Sequence, residues 1–170
     1  MPNINYNILD PCCGGRMMWF NKKDTRCLFA DQRQGRMVVS HHRPKSDKGS
    51  IRNRKDKVIN PDYIHDFRQM PFEDNTFYHV VFDPPHIRNI SMKSQLGFSY
   101  GSLNKESWRE DLKKGFSECF RVLKNNGTLV FKWNEVDIPL RKILELTDYK
   151  PLYGLKTGKK MLTHWVCFIK

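Results

Sequence analysis

Several common features are missing from this sequence, and each absence excludes a class of protein. The five cysteines form no C-x-x-C pair and have no histidine at metal-ligand spacing, which argues against a disulfide scaffold and structural zinc. No apolar run approaches the roughly 18 residues of a membrane span. The first ten residues contain no basic segment followed by a long apolar stretch, as a signal peptide would. We therefore expect a cytoplasmic protein with reduced thiols, no metal and no membrane contact.

Acidic residues are scarce relative to basic ones. The chain has 170 residues, with 30 Lys and Arg against 18 Asp and Glu, a formal net charge of +12. Such a surplus favours a polyanionic partner, most simply a nucleic acid. Basic side chains concentrate in residues 33–60, where apolar residues thin out after Val39, so we expect an exposed basic loop there. The candidate nucleic-acid contacts are Arg43, Lys45, Arg52, Arg54, Lys55 and Lys105.

Two phosphate-binding motifs are also absent. Neither G-x-G-x-x-G nor G-x-x-x-x-G-K-[ST] occurs, which argues against a dinucleotide site and a P-loop. Short apolar runs instead alternate with helical patterns at residues 17–23 and 108–123. This order predicts an α/β fold with a Rossmann-like doubly wound sheet of about seven strands, mostly parallel, with an antiparallel C-terminal hairpin. We expect one domain over residues 1–170, with the basic loop at about 33–60 and a substrate loop at about 87–107.

Four of the predicted strands end at an acid: Asp10, Asp31, Asp66 and Asp83. If the strands are parallel, the four carboxylates lie along one edge of the sheet, where α/β sheets bind their ligands. Asp10 precedes the glycine-rich turn PCCGG, Asp31 is placed to accept ribose hydroxyls, and Asp66 could meet an adenine amino group. The set predicts a nucleoside-containing cofactor. The alternative is that these acids are helix caps and turn formers.

The residues resemble a known family. ILDPCCGG is similar to the first cofactor loop of class I S-adenosylmethionine-dependent methyltransferases, and HDFRQMPFEDNTFYHVVFDPP and FSECFRVLKNNGTLVFKW look like later segments of that family. The resemblance covers most of residues 7–133 and implies S-adenosyl-L-methionine as the cofactor. The implied cofactor contacts are Asp10, Pro11, Cys12, Gly14, Asp31, Gln32, Asp66, Phe67 and Asp83.

The stretch DPPH resembles a narrower motif within that family. It is similar to the [DNS]-P-P-[YFW] motif of amino-methyltransferases that act on adenine N6 or cytosine N4, and the chain looks like the compact methyltransferases of phages and prophages. The implied catalytic residues are Asp83, Pro84, Pro85 and His86. Two positions depart from the family pattern: Arg16 stands where the first loop often has glycine, and His86 where the motif has an aromatic residue.

The sequence therefore predicts an N-methyltransferase that acts on the exocyclic amine of a nucleic-acid base, with adenine N6 in DNA favoured. Three alternatives stay open: the same chemistry on RNA, a nucleic-acid-binding module that keeps the fold without activity, and methylation of a protein or small-molecule amine. The chain length leaves no room for a dedicated target-recognition domain. The sequence does not define an oligomeric state.

Overall fold

A computed structural model of the protein describes residues 6–41 and 53–170. The strands are β1 (Ile8–Asp10), β2 (Cys27–Asp31), β3 (Gly35–His41), β4 (Asn53–Ile59), β5 (Tyr63–Ile64), β6 (Phe77–Phe82), β7 (Leu123–Asn134), β8 (Tyr153–Thr157) and β9 (Thr163–Ile169). The helices are α1 (Gln95–Tyr100), α2 (Trp108–Val122) and α3 (Leu140–Leu144).

Seven of these strands form one sheet, in the order β5-β2-β1-β6-β7-β9-β8. The first five run parallel to one another. Strand β9 runs antiparallel to β7 and pairs with β8 in the hairpin at the far edge. The predicted α/β fold, with its mostly parallel sheet and antiparallel C-terminal hairpin, is confirmed.

Helix α2 packs its apolar face against the centre of the sheet. Leu112, Phe116 and Phe120 are buried on this helix, and the Phe116 ring contacts the Phe131 ring of β7 at 4.9 Å between centroids. Gly115 permits the close approach, since a Cβ atom there would lie 2.7 Å from Cζ of Phe82. Acidic residues in the first turn of α2 complement the positive end of its dipole.

The helix predicted at residues 17–23 is wrong, because residues 11–26 form a series of turns. Tertiary contacts override the local pattern. The guanidinium of Arg16 lies 4.0 Å from the centre of the Phe29 ring, and Trp19 meets the same ring edge-on at 4.9 Å. Arg16 also adopts a positive φ of 53° and donates to Asp62 at 2.7 Å. Arg16 thus ties this segment to the sheet rather than lining a glycine-like cofactor loop.

Residues 33–60 are not a loop throughout. Strands β3 and β4 pair as an antiparallel hairpin, from Gly35 with Ile59 to His41 with Asn53. Residues 42–52 lie outside the described part of the chain. The predicted substrate loop at 87–107 likewise contains the short helix α1.

Among residues 6–41 and 53–170, no helix is both long enough and apolar enough to cross a membrane.

Candidate active site at the carboxyl edge of the sheet

The carboxyl ends of four parallel strands carry an acid. Asp10 and Asp31 are the last residues of β1 and β2, Asp83 directly follows β6, and Asp66 lies two residues beyond β5. Because these strands are parallel, the acids lie along one edge of the sheet. Each acid already forms a hydrogen bond within the protein. The four acids differ in how many acceptor positions of the carboxylate remain available to a ligand.

Asp10 is fully buried and holds the turn that follows β1. Its Oδ1 accepts a hydrogen bond from the Cys12 N–H at 3.3 Å, and its Oδ2 accepts one from the Trp19 indole N–H at 2.7 Å. Burial raises the pKa of Asp10 to about 7, and the bond from Trp19 acts against that rise. Asp10 therefore supports the glycine-rich turn from beneath.

Asp31 is also buried, and all of its acceptor positions are used. Oδ2 accepts hydrogen bonds from the Gly14 N–H at 2.9 Å and from the Arg33 guanidinium at 2.8 Å. Oδ1 accepts from the Arg33 backbone N–H at 2.9 Å and from its Nε at 2.8 Å. A carboxylate offers about four acceptor positions. Arg33 thus occupies the positions that ribose hydroxyls would need.

The geometry of Asp31 and Arg33 occurs three times in the part of the chain that the structure describes. In Asp24-Thr25-Arg26 and Asp66-Phe67-Arg68, the arginine also donates its backbone N–H and the Nε and Nη2 N–H groups of its guanidinium to the acid two residues earlier. Arg68 lowers the pKa of Asp66 below its ordinary value. Of the three pairs, the one at Asp31 is the most buried. The pattern D-x-R is therefore a local device that neutralises an acid with its own neighbour.

Asp83 has a different partner, on the neighbouring strand. Its Oδ2 lies 2.5 Å from the Nζ of Lys132 on β7. Both side chains are about one-fifth exposed. Oδ1 of Asp83 makes no hydrogen bond within the described residues, so one oxygen of this carboxylate is free to accept from a ligand.

The two prolines and the histidine after Asp83 are packed tightly. Pro84 and Pro85 are buried, and a Cβ atom on Gly101 would lie 2.7 Å from Cγ of Pro85. The His86 ring lies 5.7 Å from the Tyr100 ring and 6.2 Å from the Trp133 ring. Burial lowers the pKa of His86 below its ordinary value, so this imidazole is neutral at neutral pH.

Helix α1 and its flanking residues lie across the carboxyl edge. Arg33 donates to the Phe98 carbonyl at 3.1 Å, and Lys57 of the β3–β4 hairpin donates to the Ser99 hydroxyl at 2.6 Å. Arg88 forms a two-pronged ion pair with Asp137, which anchors the start of this segment. The predicted substrate loop is therefore held at three points over the sheet edge.

Two clefts meet at the DPPH stretch. The first cleft runs from Cys12 and Gly14 past Arg33 to Asp83, and encloses only about 40 Å³. The second cleft lies on the other side, towards the β8–β9 turn, and measures about 530 Å³. The walls of both include His86, Tyr100 and Lys132.

The predicted cofactor residues are only partly brought together. Cys12, Gly14 and Asp83 line the first cleft. Asp10 and Asp31 lie beneath the glycine-rich turn, and Pro11 is buried. The other three lie apart from the cleft: Gln32 is exposed, Asp66 is bound to Arg68, and the Phe67 ring packs in the core 5.6 Å from Phe82.

Few of the predicted nucleic-acid contacts can be placed. Arg43, Lys45 and Arg52 lie outside the described residues. Arg54 and Lys55 lie on β4, where their backbones pair with Ser40 and Val39. Lys105 is exposed between α1 and α2. The assignment of these six residues stays a prediction.

Sequence reasoning missed two residues that the structure places at the site. Lys132 is a lone charge inside the apolar run TLVFKW, and a buried strand seldom carries a lysine without a partner. Arg33 completes a D-x-R pattern that also occurs at two other acids. Both signals were present in the sequence.

No protein-family model and no curated protein sequence matches this chain. Several solved structures do align with it. A protein from Pyrococcus horikoshii OT3, PH0226, aligns with a TM-score of 0.53 at 15% identity, covering 95% of this chain and 80% of that one. A SAM-dependent methyltransferase from Leishmania major aligns with a TM-score of 0.49 at 12% identity, covering 96% of this chain and 63% of that one.

At these identities the likeness concerns the fold. The alignment with the Pyrococcus protein agrees with the strand order described above: the chain has a Rossmann-like, seven-stranded α/β sheet with an antiparallel hairpin at one edge. A fold of this kind hosts many activities, so function has to be argued from the site.

Proposed function

We propose that this chain is an S-adenosylmethionine-dependent N-methyltransferase that acts on the exocyclic amine of a nucleic-acid base, with adenine N6 in DNA as the favoured acceptor. One observation carries the proposal: a cleft lined by Asp83 and Pro84 meets a second cleft at His86, Tyr100 and Lys132, on the sheet edge where α/β folds bind ligands. A transferase needs such a junction between its donor and its acceptor.

The first cleft fits the cofactor in chemistry, although its volume is small. Gly14 has a positive φ of 48°, and a Cβ atom there would lie 3.4 Å from the Ser99 carbonyl oxygen. The distance is an ordinary van der Waals contact, but a left-handed backbone of this kind favours glycine. Asp31 would hold ribose hydroxyls if Arg33 released its side-chain bonds, because the Gly14 N–H would still satisfy one oxygen. When bound, the cofactor would supply an activated methyl group.

The residues of the DPPH stretch would orient the acceptor. An amine delocalised into an aromatic ring is a weak nucleophile, so the enzyme has to fix its N–H groups and direct its lone pair. The free oxygen of Asp83 and the carbonyl of Pro84 would each accept one N–H. The buried Pro84–Pro85 unit keeps that carbonyl in place, since proline has a fixed φ. Orientation of this kind supplies roughly 7–11 kcal/mol in favourable reactions.

His86 would take the place of the aromatic residue that stacks on the base. Its lowered pKa keeps the ring neutral, and it lies between the rings of Tyr100 and Trp133. A thiolate mechanism at a pyrimidine carbon is disfavoured, because burial, followed by the nearby Asp31 and Asp10, raises the pKa of Cys12 well above its ordinary value.

The experiment is methyl transfer from labelled cofactor to DNA and RNA of the same sequence, followed by digestion and nucleoside mass spectrometry. Labelled N6-methyladenosine from RNA alone would show that the substrate is RNA rather than DNA. The absence of any labelled nucleoside would contradict the proposed function. Asp83→Ala should abolish transfer, whereas Asp74→Ala, an exposed acid remote from the clefts, should not. Full activity of Asp83→Ala would contradict the assigned role.

A second candidate is a nucleic-acid-binding module without activity. It is favoured by the full occupation of Asp31 by Gly14 and Arg33 and by the small first cleft. Calorimetry discriminates the two functions. A methyltransferase should bind S-adenosylmethionine with a micromolar Kd, and a module of the second kind should bind the nucleic acid alone.

A further inference from the structure

The second cleft has a basic outer end and an aromatic inner end. Its outer wall is the β8–β9 turn, which contributes Lys159 and Lys160. Its inner wall is formed by His86 and Tyr100, whose rings lie 5.7 Å apart at an angle of 60°. The inner end is the junction with the first cleft, beside Asp83.

The charges along this cleft are of one sign. Lys132, Lys159 and Lys160 line it, and none of its described lining residues is acidic. The two carboxylates adjacent in sequence to the lining residue Val136 have partners within the protein: Glu135 is engaged by Lys156 and His164, and Asp137 by Arg88. Lys159 and Lys160 are exposed and form no ion pair with any described residue. Their charges are therefore available to an anionic ligand.

Asn134, Thr157 and Thr163 form a polar part of the wall between the two ends, beside apolar residues such as Leu96 and Val136. The Asn134 side-chain N–H donates to the Thr163 hydroxyl at 3.0 Å, which ties the end of β7 to the start of β9. Residues Thr157 and Thr163 pair across the hairpin and hold the base of the turn. The position of Lys159 and Lys160 is thus set by the hairpin.

We propose that the second cleft binds a segment of single-stranded nucleic acid, with phosphates at Lys159 and Lys160 and a base against Tyr100 and His86. This inference rests on the proposed function, since it states how that enzyme would hold its substrate. Cationic side chains along the backbone combined with aromatic rings beneath the bases are the common features of single-strand binding. A base paired in a duplex would have to leave the stack to pack against these rings.

The site differs from the basic region at residues 33–60. Lys159 and Lys160 lie in the turn between β8 and β9 of the seven-stranded sheet, whereas β3 and β4 of that region form a separate two-stranded sheet. The charge pattern of the sequence did not single these lysines out. The cleft could therefore act with that region or without it, and its contribution can be measured by itself.

The test is fluorescence anisotropy with labelled 12-residue single strands of DNA and of RNA, in the full chain, at several salt concentrations. Lys159→Gln combined with Lys160→Gln should raise the Kd about tenfold and lower the salt slope by roughly one to two, as loss of one or two phosphate contacts requires. Tyr100→Leu should raise the Kd about tenfold or more without changing the salt slope.

The matched control is Lys113→Gln combined with Lys114→Gln. These two exposed lysines are also adjacent in sequence, but they lie on α2 and line neither cleft. The control removes the same charge and should leave the Kd within twofold. Equal losses in both double variants would overturn the inference, because general charge would then explain binding. Unchanged binding in Lys159→Gln/Lys160→Gln, or tighter binding of a duplex than of a single strand, would overturn it as well.

This experiment separates the inference from the proposed function, because binding is measured without methyl transfer. Strand binding that depends on Lys159 and Lys160, with no methylated nucleoside formed, would support the binding role of the second cleft and contradict the proposed methyltransferase function. If the protein forms methylated nucleoside and the Kd and KM are unchanged in Lys159→Gln/Lys160→Gln, the proposed function stands and the binding role of the cleft is overturned. Circular dichroism of each variant confirms that the fold is retained.

Discussion

Lys132 holds Asp83 across two neighbouring parallel strands, with Nζ 2.5 Å from Oδ2. The pair leaves one carboxylate oxygen free at the junction of the two clefts and places a fixed positive charge beside it. A positive charge at this point limits where an acceptor that becomes cationic can sit. It also keeps the acid from rotating away from the prolines.

Lys132→Met should lower kcat for methyl transfer at least tenfold while leaving the Kd for the cofactor within about threefold. Without the ammonium group, Asp83 loses its fixed orientation, and a partly buried carboxylate is left unpaired. The same change should lower the free energy of unfolding by on the order of 1–3 kcal/mol. Kinetics of the variant, with calorimetry of cofactor binding, measure both effects.

Lys132→Arg serves as the conservative variant, since it keeps the charge. It should recover part of kcat. Equal kcat in the wild type and Lys132→Met would show that Lys132 has no positioning role, and an equal loss in the methionine and arginine variants would point to packing rather than charge.

Arg33→Gln should make the protein less stable and more responsive to cofactor. Asp31 would lose two side-chain bonds while remaining buried, which costs on the order of 1–3 kcal/mol. Bound ribose hydroxyls could replace those bonds, so saturating S-adenosylmethionine should raise Tm by more in this variant than in the wild type. Differential scanning fluorimetry with and without cofactor gives both numbers.

Arg26→Gln is the control for that measurement, because Asp24 and Arg26 form the same local pair on the exposed surface. It should change stability less than Arg33→Gln and leave the cofactor-induced shift at the wild-type value. An identical cofactor-induced shift in wild type and Arg33→Gln would show that Arg33 does not compete for the ribose position.

Asp10 should make stability fall as the pH rises. Its pKa is about 7 in the folded protein and near 3.8 when exposed, so the folded state binds the extra proton between these values. The contribution is complete below about pH 4 and is lost as the pH rises through 7. From pH 5 to pH 8 it amounts to about 2.5 kcal/mol, since about two pKa units lie between pH 5 and the folded pKa and each is worth 1.36 kcal/mol.

Urea unfolding at pH 5 and pH 8 measures this effect by comparing wild type with Asp10→Asn. Asparagine does not titrate, so the wild type should lose more stability over this interval than the variant. The neighbours that contribute to the shift are Trp19, Asp83 and Asp31, and they are unchanged in the comparison. Parallel pH profiles would show that Asp10 is ionised throughout.

Gly115→Ala should destabilise the protein by roughly 1–3 kcal/mol, although alanine is the better helix former. The added Cβ would lie 2.7 Å from Phe82 and 2.8 Å from Phe67, both in the core. Ser117→Ala, at an exposed position of the same helix, should be neutral or slightly stabilising. Thermal unfolding of the two variants gives the comparison, and a stable Gly115→Ala would mean that α2 can move away from the sheet.

Strands β1, β2 and β6 were predictable because each reads as a short apolar run that ends at an acid or is followed by one. The run from Phe77 to Asp83 shows this, as does Cys27 to Asp31. The turn segment after β1 was not predictable, because its conformation depends on Trp19 reaching Asp10 and on Arg16 reaching Phe29. Those contacts are distant from the local pattern that suggested a helix.

The acids of the candidate site were predictable from the sequence, but the side chains that pair with them were less so. Spacing along the chain placed Asp83 at the sheet edge. It could not show that β7 lies beside β6, and therefore that Lys132 faces Asp83. The D-x-R pattern at Asp31 could have been noticed, but its consequence for a ligand depends on burial, which only the folded chain provides.

The first half of the chain forms turns and a hairpin, where the sequence pattern had suggested a helix. This affects how the protein folds. Strand β1 lies in the middle of the sheet, and Ile8 pairs both with Cys27 and with the distant His79. With few early helices to guide collapse, the central pairing has to wait for long loops to close, and folding should be slow. During that time the apolar strand Phe77–Phe82 stays exposed, so refolding should give its best yield at low protein concentration.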